Sequence, residues 1–233
     1  MNSVCKHCGA STTGNYCHVC GQSLKIERLT ISSIIHEIFH FFTHLDKGFL
    51  YTLKKLITDP GTMQREYVGG HRVRHQKPFS MFFLCATVSA LVYYWVNVVL
   101  VKYYDTGSEG VISFFHQYMV FLQIVMLPVY AAITYLLFYN LKYNYAEILI
   151  LLLYMLSVLL LIIALIQLLR LIWPDLETRF IELPVILIYG VITNVFFFRD
   201  SSKWITIPKS ILGIAAGFFL AGFVQDRLIE FLS

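Results

Sequence analysis

From Phe79 onward the chain is apolar almost without interruption, whereas the residues before it alternate cysteine-rich, amphipathic and basic stretches. Five apolar runs stand out: Phe79 to Val101, Tyr118 to Tyr139, Ala146 to Ile172, Phe180 to Phe198 and Ile207 to Val224. Each is near the ~20 residues that a helix needs to cross the hydrocarbon of a bilayer. The pattern predicts about five spans, which would leave the termini on opposite sides. Pro184 and the glycines of the last run weaken the fourth and fifth spans, so three or four crossings are the alternative.

Ahead of these runs the apolar period changes. Ile31, Ile35, Ile38, Phe42, Leu45, Phe49, Leu53 and Leu56 recur at intervals of three and four, the spacing of one helical face, until Asp59-Pro60-Gly61 stops them. His36, His40, His44, Lys47, Tyr51 and Lys55 form the opposite stripe. The segment therefore predicts an amphipathic juxtamembrane helix lying flat on the inner leaflet, divided at Gly48.

Composition agrees with this picture. With 58% hydrophobic residues, 14% charged residues and a mean hydropathy of +0.67, the chain falls outside the soluble class. The first thirty residues lack the basic start and apolar core of a secretory signal, so the N-terminus is expected to be retained. The net charge of +4 is unevenly placed. Lys54, Lys55, Arg65, Arg72, Arg74 and Lys77 precede the first span, and Lys142, Arg199, Lys203 and Lys209 follow in alternate connections. The remaining connections balance Lys102 against Asp105 and Glu109, and Arg179 against Asp175, Glu177 and Glu182. The positive-inside rule then predicts an inner-membrane protein with a cytoplasmic N-terminus and, for five spans, an external C-terminus.

Four of the five cysteines stand in two pairs, Cys5-Lys6-His7-Cys8 and Cys17-His18-Val19-Cys20, each followed by a glycine. Cys-x-x-Cys-Gly suits a zinc knuckle, because the tight turn directs backbone N–H groups at the thiolates. A disulfide framework is the competing reading of an even set, but a reducing compartment favours metal. Cys5, Cys8, Cys17 and Cys20 would complete a tetrahedron, which makes the zinc structural. With eight residues between Cys8 and Cys17, a compact pair of turns without a full sheet is expected.

A second metal motif lies in the amphipathic segment, where His36-Glu37-Ile38-Phe39-His40 matches H-E-x-x-H. A hydrolytic zinc site would need a third ligand, for which His44 and Asp46 are candidates. The spacing of His44 differs from that of known zinc peptidases, so a solvated histidine face is the main reading, with a second metal site without catalysis and a membrane-embedded zinc hydrolase using His36, Glu37 and His40 as alternatives. Farther on, the basic stretch from Pro60 to Phe79 would meet anionic lipid head groups, each Lys or Arg contributing ~1 kcal/mol near the surface. It serves equally as a topology anchor. Gly69-Gly70 fits neither a phosphate loop nor a dinucleotide fingerprint, and no aromatic platform for nucleic acid accompanies the arginines, so nucleic acid is not an expected partner.

Transport is the other alternative, as a small-solute transporter or channel. The span centres offer Asn97, Gln123, Gln167 and Asn194, while Glu147, Arg170 and Glu182 lie nearer the ends. In the last span Gly213, Gly217 and Ala221 recur every four residues, a small face for packing within the bundle or for a homo-oligomer.

The paired knuckles, Cys20-Gly21-Gln22, His44-Leu45-Asp46-Lys47-Gly48, Thr52-Leu53, Pro60-Gly61, and Arg65-Glu66-Tyr67 to Gly70-His71-Arg72 together resemble a bacterial family of uncharacterised zinc-ribbon, multi-pass membrane proteins. The resemblance covers about the first eighty residues, with His71 where the family commonly has Lys. It implies architecture and no reaction, and it makes Asp46, Arg65, Glu66, Tyr67, Gly70 and Arg72 candidates for binding a lipid head group or a protein partner. Arg74 joins them from the basic stretch.

The expected fold is thus mainly α, with a zinc-ribbon head over 1–24, an amphipathic and basic juxtamembrane segment over 25–78, and a transmembrane bundle over 79–233. The expected function is non-catalytic, a structural zinc module beside a surface that holds anionic lipid or a partner.

Overall fold

The computed structural model describes residues 3–21, 23–24, 30–31, 48–104 and 110–232. A small head carries strands β1 (Ser3–Val4) and β2 (Ser11–Thr12), paired antiparallel with Ser3 opposite Thr12. Among the described residues, seven helices follow: α1 (Phe49–Thr58), α2 (Thr62–Val68), α3 (Pro78–Tyr104), α4 (Gly110–Leu137), α5 (Tyr145–Gln167, continued by a 3-10 turn Leu168–Leu171), α6 (Arg179–Phe197) and α7 (Lys203–Leu232). The five apolar runs fall on α3 to α7, one run to a helix.

Among the described residues, four helices are long and apolar enough to cross a membrane: Pro78–Tyr103, Tyr145–Leu171, Arg179–Phe197 and Lys203–Arg227. Within α4, Leu122–Leu137 is a shorter apolar helix. These lengths point to a multi-pass membrane protein. Aromatic side chains stand exposed at both ends of the bundle, Tyr103, Trp173 and Phe180 at one and Tyr139 and Trp204 at the other. Such belts suit the two lipid–water boundaries.

Helix α5 is the axis of the bundle, packed by α1, α2, α3, α4 and α6, and Ile150, Leu151 and Tyr154 on it are fully covered. It begins with a capping box. The Asn144 side chain accepts from the Glu147 N–H at 2.9 Å, and the Glu147 carboxylate accepts from the Asn144 N–H at 2.8 Å. Glu147 is accordingly buried at a helix start, where its charge meets the positive end of the dipole.

Over its described part the juxtamembrane segment forms two short helices, α1 and α2, that dock on the bundle. Gly61 separates α1 from α2 at a point where α6 passes so close that a Cβ would strike the Thr193 carbonyl and lie 2.7 Å from the Phe197 nitrogen. Leu56, Met63 and Tyr67 pack with Met81 and Cys85 of α3 and with Ala146, Ile150, Tyr154 and Val158 of α5. The Tyr154 hydroxyl donates to the Gln76 carbonyl at 2.6 Å and ties the turn before α3 to α5, on which α1 and α2 also pack. Residues 32–47, with the rest of the amphipathic stripe, lie outside the described residues, as do Asp105 and Glu109.

The connections after α4 and α6 meet at this same end. Phe138 stacks on Phe198 at 4.1 Å and Tyr143 lies tilted against Phe197 at 4.6 Å, while Lys209 donates to the Leu137 carbonyl at 2.7 Å, a cation at the end of α4. The small face of α7 is occupied within the chain: a Cβ on Gly213 would lie 3.0 Å from Leu137, and one on Gly217 3.2 Å from Tyr130.

Candidate metal centre and basic cavity

The two knuckles repeat one local design. The Gly9 N–H donates to the Cys5 carbonyl at 2.9 Å and the Gly21 N–H to the Cys17 carbonyl at 2.8 Å. Gly9 and Gly21 both sit in the left-handed region, with φ of 75° and 73°. That conformation is open to glycine at little cost and folds each turn around its sulfurs.

The turns bring Cys5, Cys8, Cys17 and Cys20 together, their sulfur atoms all within 4.8 Å of one another. Cys5 Sγ lies 3.6 Å from Cys20 Sγ, and Cys8 Sγ 3.6 Å from Cys17 Sγ. Neither pair is a disulfide. Tetrahedral metal–thiolate bonds of ~2.3 Å would set sulfurs ~3.8 Å apart, so the four fit one metal ion. The electrostatics agree. The Cys20 N–H holds the Cys17 thiol down at about 7 against the opposing effect of burial, and the Cys8 N–H lowers Cys5 in the same way. At Cys8 the Ala10 N–H also lowers the thiol, but burial and the Cys17 and Cys5 sulfurs outweigh it and raise it. Four adjacent thiolates repel one another, and a bound cation removes that repulsion. His18 stands outside the sulfur set, its Nδ1 3.2 Å from the Thr12 hydroxyl.

The second feature is a cavity of about 640 Å³ lined by Gly48, Tyr51, Tyr67, Arg72, Val73, Arg74, His75 and Lys77. It lies between the start of α1, the end of α2 and the turn into α3. Buried hydrogen bonds hold that turn: the Gln76 N–H donates to the Thr52 hydroxyl at 2.7 Å, and the Gln76 carbonyl accepts from Tyr154. Arg72 donates to the Tyr67 carbonyl at 3.2 Å and lies over the Tyr67 ring at 5.6 Å. Burial pushes the His75 imidazole down to about 4, with electrostatic contributions from the neighbouring His7, Lys55 and His71 in the same direction.

Of the residues singled out in the sequence, Tyr67, Arg72 and Arg74 come together on this cavity. Arg65 points elsewhere and makes two bonds to Asp200, at 2.8 and 3.0 Å, clasping α2 to the turn after α6. Glu66 is exposed, and Gly70, at φ 110°, makes the turn that follows α2. His36, Glu37, His40, His44 and Asp46 lie outside the described residues. Sequence reasoning missed Tyr51, His75 and Lys77 as lining residues. It also missed Asp200, whose signal was a lone acid in an otherwise basic connection between Arg199 and Lys203.

Residues 46–90 match a family model described as "Protein of unknown function (DUF3667)". The match spans α1, α2, the cavity-lining turn and the first part of α3, and stops short of the four cysteines. No curated protein and no solved structure matches the chain.

Proposed function

We propose that this chain is a non-catalytic, multi-pass inner-membrane protein whose cytoplasmic zinc module is structural and whose juxtamembrane cavity holds anionic lipid head groups. The observation that carries the reading is the convergence of Arg72, Arg74 and Lys77 with two tyrosines on one cavity at the end of the bundle. Three cations at a membrane-proximal opening attract phosphate, and guanidinium groups match its geometry with paired donors. The tyrosines supply an apolar wall for the glycerol and upper acyl carbons. Zinc, with four thiolate ligands, has no open position for water and acts by holding the two knuckles together.

Native mass spectrometry of the detergent-purified protein tests this. The wild type should carry one zinc and retain phosphatidylglycerol over phosphatidylcholine. The Arg72→Gln, Arg74→Gln, Lys77→Gln variant should keep the zinc and lose the selectivity. Equal retention of the anionic lipid by both proteins overturns the reading.

A further inference from the structure

Arg72, Arg74 and Lys77 give the cavity its charge, but one further polar ring lines it. His75 is half-buried there and packs against the rings of Tyr51 at 5.3 Å and Tyr67 at 6.3 Å, the second edge-on. Arg72 lies over the same Tyr67 ring, so imidazole and guanidinium share one aromatic wall.

The two nitrogens of His75 are placed differently. Nδ1 is shielded from solvent and has no hydrogen-bond partner, so it faces protein. Since the ring lines the cavity, Nε2 is the nitrogen left open to it. A neutral imidazole carries one N–H, on either nitrogen. On Nδ1 the hydrogen would be buried with no acceptor, the rarer kind of orphan, whereas on Nε2 it meets whatever fills the cavity. Burial keeps the ring neutral down to about 4, and the surrounding His7, Lys55 and His71 act in the same direction. Around it the cavity itself adds Tyr51, Tyr67, Arg72, Arg74 and Lys77.

We infer that His75 is the residue by which the cavity recognises its ligand, its Nε2–H donating to a phosphate oxygen held by Arg72, Arg74 and Lys77. This rests on the cavity reading above and extends it. The three cations attract any anion small enough to enter, and salt screens their pull. A neutral N–H adds no charge and has one direction and one reach, so it selects an acceptor oxygen seated against the two tyrosine rings. A lipid phosphodiester and free phosphate both carry such an oxygen.

The test uses the full chain in detergent and titrates short-chain phosphatidylglycerol, short-chain phosphatidylcholine and inorganic phosphate in turn by calorimetry. His75→Phe keeps a ring and removes its nitrogens. It should weaken phosphatidylglycerol binding about threefold to tenfold, the loss of one hydrogen bond. His75→Gln carries an amide N–H to the position of Nε2 and should bind within about twofold of the wild type. His75→Asn reaches only to Nδ1 and should bind as His75→Phe does. Rescue by Gln and not by Asn is a pattern that a ring merely filling space does not produce. Zinc content and thermal midpoint are read for each variant, and where His75→Phe does not fold, the contrast between Gln and Asn decides. The same pattern with inorganic phosphate identifies a free anion, and a pattern confined to phosphatidylglycerol identifies a head group; each supports the donor. If the three variants bind as the wild type does, or weaken alike, or Asn rescues in place of Gln, the role of His75 falls. The cavity reading then stands if Arg72→Gln, Arg74→Gln and Lys77→Gln together abolish the preference for phosphatidylglycerol. If that triple variant keeps the preference, both fall.

Discussion

The head and the α1–α2 unit lie at the same end of the molecule, yet their residues are ordered by different physics. In the head, Cys5 and Cys17 are covered while Val4, Tyr16 and Val19 are more than 60% exposed. The apolar side chains there face outward, and little besides the sulfurs turns in. In the α1–α2 unit, Leu56, Met63 and Gln64 are at most 1% exposed, packed against α3, α5 and α6. The first region gathers four sulfurs that could hold a metal ion, and the second is held by packing. Short segments without a core of their own can become ordered by recruiting a metal or by recruiting a neighbouring helix, and the function proposed above has this chain use both within its first seventy residues.

Substitutions should separate the two regimes. The largest effect is expected from Cys17→Ser or Cys5→Ser, which should remove the metal and unfold the head while leaving the helical circular-dichroism signal of the bundle in place. Loss of bundle helicity would merge the two regions into one cooperative unit. Next, Leu56→Ala should cost ~2–5 kcal/mol, read as a lowered thermal midpoint in detergent with the metal content unchanged. Tyr154→Phe is smaller, ~1–3 kcal/mol, because it strands the buried Gln76 carbonyl.

The apolar runs were legible as helices because span length is a local property, and the knuckles because Cys-x-x-Cys-Gly encodes its own turn. The docking of α1 and α2 was not. Leu56 and Met63 look the same in sequence whether their face meets lipid or protein, and the bond from Tyr154 to the Gln76 carbonyl joins residues far apart in the chain. Likewise Arg65 read as a binding residue until Asp200, far along the chain, took its charge. The resemblance over the first eighty residues and the family match over 46–90 overlap at 46–80, which includes the cavity and excludes the four cysteines.

Acid should discriminate the regions more gently. The His75 imidazole is depressed in the fold to about 4 from its ordinary 6.5. Between those values the unfolded chain binds the proton and the folded one does not, so His75 lowers stability as pH falls from 6.5 toward 4. His75→Gln should flatten that part of the pH profile of thermal stability relative to the wild type. An unchanged slope would contradict the burial of this ring. The smallest effect is expected from Arg65→Gln or Asp200→Asn, ~1 kcal/mol or less, since Asp200 is largely exposed.

Hydrogen exchange, measured by mass spectrometry on the zinc-loaded and the chelated protein, tests the contrast between ligation and packing most directly. Amides of residues 3–21 should lose their protection when the metal is removed, while those of α1 and α2 should keep theirs. Equal loss in both regions, or retained protection in the head, would contradict it.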